Sequence, residues 1–120
     1  MSTFKNLWVW QAGINLAEDV YRITNKKPFS TDFGLKNQIQ RAVVSISSNI
    51  AEGDERDSNK QSSHFFKIAK ASNAEVITQL NIAYRIGYLD EIQLSDLEGK
   101  AMKIVRGCMV SSKLEVAMMI

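Results

Sequence analysis

At 120 residues, 45% hydrophobic and 23% charged, the chain is sized for one domain with one core and is too apolar for disorder. It has no run of about 20 apolar residues for a membrane span, and its formal charge of +2 is too mild to diagnose nucleic-acid binding unless the cations gather on one face. Cys108 is the sole cysteine, which excludes an intrachain disulfide and a cysteine-rich zinc site.

Met1 to Trp10 holds one lysine and no uninterrupted apolar stretch followed by small residues, so no signal peptide is expected and a cytoplasmic location is the default. Pro28 is the single proline, which leaves long stretches free to be helical. Four apolar-periodic stretches fill them. The first helix is expected over about residues 6–24, with Leu7, Trp10, Ile14, Ala17, Tyr21 and Thr24 facing inward, and it ends at the Asn25-Lys26-Lys27-Pro28 turn. The second, about 32–52, begins at a Thr31 or Asp32 cap, buries Leu35, Ile39, Ala42 or Val43, Ile46 and Ile50, and stops at Gly53.

After the solvated Asp54-Glu55-Arg56-Asp57 connection, Ser58 is the next cap candidate. A long third helix, about 58–86, follows with the seam Phe65, Ala69, Ser72, Val76, Leu80 and Ala83, and Gly87 stops it. The fourth, about 92–116, places acids in its first turns and Leu94, Leu97, Ala101, Ile104 and Cys108 inward. No useful strand-type alternation occurs. Short turns between four helices predict an all-α fold, an antiparallel up-down-up-down four-helix bundle.

The fourth helix has apolar residues to spare: Met102, Val105, Met109, Val116 and Met119 form a second row beside the first. Trp8 beside Trp10 and Phe66 beside Phe65 repeat the theme, since adjacent helix residues point about 100° apart. Surplus apolar faces predict self-association, with Trp8, Phe66, Met102, Val105 and Met109 as candidates for the contact, or else one wide stripe in a small monomer.

On the second helix Arg41, Ser45, Asn49 and Glu52 are spaced to share a face. The stretch Ser45 to Gly53 reads Ser-Ile-Ser-Ser-Asn-Ile-Ala-Glu-Gly. It resembles the ending Ser-Ile-x-x-Asn-Ile-Ala-Glu-Gly of four-helix-bundle proteins encoded in intervening sequences of bacterial 23S ribosomal RNA genes. Leu7, Val9, Trp10, Gly34-Leu35, Gln38, Ile39, Arg41, Arg56, Ser58, Phe65, Ile68-Ala69, Ser72, Glu75, Gln79-Leu80 and Gly87-Tyr88-Leu89 extend the match over nearly the whole chain. Ser47 departs from a frequent proline and Ala71 from a frequent glycine, both compatible with helix. The resemblance implies a bundle that commonly forms a homopentameric ring, with no established enzymatic activity. The related accessory protein of diversity-generating retroelements extends the implication to nucleic acid as a partner.

Asn49, Glu52 and Glu75, with Arg41 and Ser45, read physically as a polar network fixing the register of helices two and three, because an unpaired polar group in the seam costs about 1–3 kcal/mol. Phosphate contacts have their best candidates in Lys60, Lys67 and Lys70, which share a helix face with His64, and in Lys100, Lys103 and Arg106. The competing reading is a solvated face arranged by the helix dipole.

Catalysis has no constellation to rest on. His64 is the only histidine and Gln61 stands where a di-metal Glu-x-x-His pair needs an acid, so no metal site or cofactor is expected. A Cys108–His64 pair would need adjoining faces and an orienting group. Two readings remain: a self-assembling module that binds RNA or DNA, and an oligomeric adaptor for a protein partner.

Overall fold

The computed structural model describes residues 4–108. A 3-10 turn at Phe4–Asn6 leads into α1 (Trp8–Thr24), and a second at Phe29–Thr31 precedes α2 (Phe33–Asp54), followed by α3 (Asn59–Arg85) and α4 (Glu91–Cys108). No strand occurs among the described residues, and the part of helix four expected at 109–116 lies outside them.

Helices α2, α3 and α4 start where a side chain satisfies free amide groups of the first turn, whereas α1 starts after Leu7 with no side-chain cap. Asp32 accepts from the Leu35 N–H at 3.1 Å, and Ser58 accepts from the Gln61 N–H at 3.2 Å. Asp90 and Gln93 exchange bonds, side chain to backbone, at 2.7 and 2.9 Å, a reciprocal cap for α4. At the end of α3 the chain turns through Gly87, whose φ of 88° is a left-handed conformation that favours glycine. Gly53 differs from its expected role as a helix stop. It lies inside α2, buried, where a Cβ would stand 2.6 Å from Cε1 of Phe66.

The helices form a closed circuit, α1 on α2, α2 on α3, α3 on α4 and α4 back on α1. Gly13 of α1 lies against Ser47 of α2, and Gln40 donates to Oγ1 of Thr24 at 2.9 Å. Between α2 and α3, Gln79 reaches Gln38 at 3.5 Å, Ser45 meets Ser72 at 2.9 Å and Ser62 donates to the Gly53 carbonyl at 2.7 Å. Asn73 and Asn81 of α3 donate to the Ala101 carbonyl and to Glu98 of α4, at 3.0 and 2.7 Å. Lys100 of α4 reaches back to Asp19 of α1 at 2.7 Å.

The core corrects two rows. On α1 the inward face is Val9, Gly13, Leu16, Val20 and Thr24, while Ile14 and Tyr21, expected inside, are exposed. On α3 Phe66 is wholly buried and Phe65 only partly so, the reverse of the expected assignment. Gly53 explains the second case: without a side chain there, the Phe66 ring fits against the α2 backbone.

Candidate functional site

The polar row on α2 divides. Asn49 donates to the backbone carbonyl and to Oγ of Ser45, at 2.8 and 3.0 Å, both within its own helix. The Ser45–Ser72 bond carries the link across to α3. Arg41, Glu52 and Glu75 are exposed and stand outside the network, and Glu52 pairs instead with Arg56 one turn on. The reason is helical drift: each four-residue step overshoots a full turn by about 40°, so a row begun on the outside at Arg41 reaches the seam only at Ser45 and Asn49. Glu52, after a three-residue step, swings outward again.

The cationic candidates also form two groups. Lys60, Lys67 and Lys70 are exposed along α3, and Lys60, His64 and Lys67 border a shallow depression with Asn59 and Ser63. No carboxylate occurs from Asn59 to Ala74 or from Gly99 to Cys108, and the Asn73–Ala101 bond sets these two stretches side by side. Arg106 is exposed on the second. Lys100 and Lys103 turn toward α1. Lys100 is held by Asp19 and, at 3.3 Å, by Asp96, and the bond to Asp19 is the main cause of its raised pKa. The Lys103 ammonium lies 5.6 Å from the Trp8 ring centroid.

Phe65, displaced from the seam, adds an aromatic to the α3 surface. The Arg56 guanidinium lies 4.6 Å from its centroid and the His64 ring 5.2 Å away, edge on. The acids Asp54, Glu55 and Asp57 precede this end of α3, so the unopposed positive charge is centred on Lys67, Lys70 and Arg106 rather than on Lys60.

Of the candidates for self-association, Phe66 is removed by its burial in the core. Trp8 is half-buried against its own chain, its ring about where a Cβ on Gly107 would touch it. Met102 is 42% exposed and Val105 half-buried, while Met109, Val116 and Met119 lie outside the described residues. A further apolar surface sets Trp10, Ile14 and Ala17 of α1, which sequence reasoning placed inside, beside Val44 and Ala51 of α2. The alternative row Val9-Gly13-Leu16-Val20 has the same three- and four-residue spacing, and its glycine hid it.

No group of three or more His, Cys, Asp or Glu is placed to hold a metal among the described residues. Cys108 is buried, which pushes its thiol up to about 12, while His64 is exposed on α3, so the two form no nucleophile pair. No helix among the described residues is long and apolar enough to cross a membrane.

These features define an all-α protein of four packed helices whose distinguishing surfaces are a cationic helix face and an apolar groove. Residues 5–109 match the pattern of the 23S rRNA-intervening sequence proteins, and the chain belongs to that family. Its fold is similar to that of a protein with unknown function from the S23 ribosomal protein family of Bacteroides thetaiotaomicron. The two are 20% identical with a TM-score of 0.77, over 84% of this chain and 94% of that one. No curated protein is significantly similar to the chain.

Proposed function

We propose that the chain is a non-enzymatic, self-assembling four-helix module, its helices running alternately up and down, that carries RNA or DNA on its basic faces. The alternating direction is supported by the contacts: partners rise along α2 from Gln38 through Ser45 to Gly53 as they fall along α3 from Gln79 through Ser72 to Ser62. The nucleic-acid role rests on the carboxylate-free first half of α3, where Lys60, Lys67 and Lys70 stand exposed beside the equally acid-free end of α4. One such face attracts a phosphate backbone weakly, and repetition in an assembly multiplies the attraction.

Fluorescence anisotropy with a labelled single-stranded RNA and a DNA duplex, at stepped salt, tests this reading. Binding should weaken steeply as salt rises, and Lys67→Gln with Lys70→Gln should lower both the affinity and the salt slope, by about 2 for two phosphate contacts. Absence of binding at low salt would rule it out.

A further inference from the structure

Two shallow depressions adjoin on the first turns of α3, and they share Lys60 and His64. The first adds Asn59, Ser63 and Lys67 to that pair, and its cations suit phosphate. The second adds Arg56, Ser58, Gln61 and Phe65 and has a different chemistry. Three of its side chains are planar groups already set against one another. The Arg56 guanidinium lies over the Phe65 ring at 4.6 Å, and the His64 ring meets that ring edge on at 5.2 Å. Arg56 is steadied by its ion pair with Glu52, yet 42% of its side chain is exposed, and His64 is exposed beside it.

Charge decides what can lie there. Glu52, Asp54, Glu55 and Asp57 all fall in the last turn of α2 and the connection to α3, so this depression repels phosphate more than the rest of the α3 face does. A neutral planar group is not repelled. It can stack on a guanidinium or imidazole face, the contact that holds unpaired bases of single strands, and the exposed Gln61 amide offers a donor and an acceptor at its edge. Lys67 and Lys70 follow about 10 and 15 Å along the α3 axis from Lys60, on ground free of carboxylates that suits the phosphates of the same strand. A duplex keeps its bases inside the stack and has no free base face to present.

We infer that this face takes single-stranded nucleic acid, with an unpaired base stacked on the Arg56, His64 and Phe65 cluster and neighbouring phosphates on Lys67 and Lys70. The inference rests on the nucleic-acid part of the proposed function and adds the strandedness and the base contact. It also gives a use to the surface position of Phe65, which the packing of the core does not require.

Fluorescence anisotropy on the full chain at low salt tests it with labelled oligo-thymidine, an abasic strand of the same length and charge, oligo-uridine, and a duplex of the first. Oligo-thymidine should bind about 10-fold tighter than the abasic strand. Arg56→Lys keeps the charge and loses the plane, and His64→Ala removes an exposed ring. Each should cut that preference about 3-fold and leave the abasic affinity unchanged. Lys67→Gln with Lys70→Gln should instead weaken both strands alike. Stacking uses the base and not the sugar, so oligo-uridine should lose affinity in the same two variants, and a loss in only one base-bearing strand assigns the site to that nucleic acid. Equal binding of abasic and base-bearing strands, a preference that survives both variants, or a duplex bound as tightly as the single strands overturns the base contact and leaves phosphate binding standing. Absence of binding by every probe overturns both.

Discussion

A methyl group at position 53 would stand 2.6 Å from Cε1 of Phe66, 2.9 Å from its Cδ1 and 3.1 Å from the Ser62 carbonyl oxygen. Two opposed terms decide what Gly53→Ala does. Replacing a helix-interior glycine gains about 1 kcal/mol of helix propensity. Overpacking a rigid core costs about 1–3 kcal/mol. Here the obstacles are a wholly buried ring and a backbone atom, neither free to rotate away, so the clash should prevail and Gly53→Ala should destabilise by about 1–2 kcal/mol. Gly99 sits in α4 with nothing within 4 Å of the added carbon, and Gly99→Ala should therefore stabilise by up to about 1 kcal/mol. Urea midpoints of the two variants should move in opposite directions from wild type, and a shift of both in the same direction would refute this account of Gly53. Phe66→Leu in the Gly53→Ala background should recover part of the loss, because it removes the clashing edge of the ring.

At the scale of the elements, Asp32 joins two of them. One carboxylate oxygen caps α2 through the Leu35 N–H, and the other accepts the Tyr88 hydroxyl at 2.9 Å, just beyond the α3 turn. The Tyr88 ring in turn packs 5.2 Å from Phe29, centroid to centroid, so cap, turn and the entry to α2 are tied together. The bond to Asp32 is also the first cause of the raised Tyr88 pKa, since a phenolate could not donate it. Asp32→Ala should cost about 1–2 kcal/mol through the lost cap. Asp32→Asn should keep most of the cap, yet both variants should move the Tyr88 titration back toward 10.0, seen in the phenolate absorbance band. A Tyr88 titration unchanged in both would break the assignment. Such caps were readable in the chain, because Asp32 and Ser58 stand just before apolar-periodic stretches, and so was the glycine stop at Gly87. The rotation of each helix about its axis was less readable. On α1 two interleaved rows fit the spacing, and the buried one contains Gly13, which carries no hydrophobic signal but admits Ser47 of the neighbouring helix. On α3 adjacent phenylalanines left the choice to Gly53, thirteen residues earlier on α2, which decides it only once the two helices dock. The polar row failed for a related reason: spacing places Arg41 and Glu52 near Asn49, but only packing shows which of them reach the seam.

For the molecule as a whole, the shifted ionisations all act at alkaline pH and in the same direction. Cys108, Tyr88 and Lys100 are each raised in the folded state, by burial, by the bond to Asp32 and by the bond to Asp19 respectively. A group whose folded pKa exceeds its unfolded value binds its proton more tightly when folded, so its stabilisation is complete below the unfolded pKa and is lost as pH rises toward the folded one. Stability from these three groups is therefore level up to about pH 9 and falls above it, the thiol acting first because its unfolded value, 9.0, is the lowest of the three. The rise to about 12 corresponds to on the order of 4 kcal/mol in all, of which roughly 1.4 kcal/mol is lost by pH 10. Lys100 is exposed and Tyr88 only half-buried, so solvent screens their pairs with Asp19 and Asp32 and the thiol should dominate the early slope. Cys108→Ala removes that ionisation and leaves a small cavity, which lowers stability at every pH by a constant amount. Its stability should consequently stay flat from pH 8 to 10 while the wild type declines, and parallel declines measured by urea unfolding would show that the thiol ionises as readily inside the bundle as outside it.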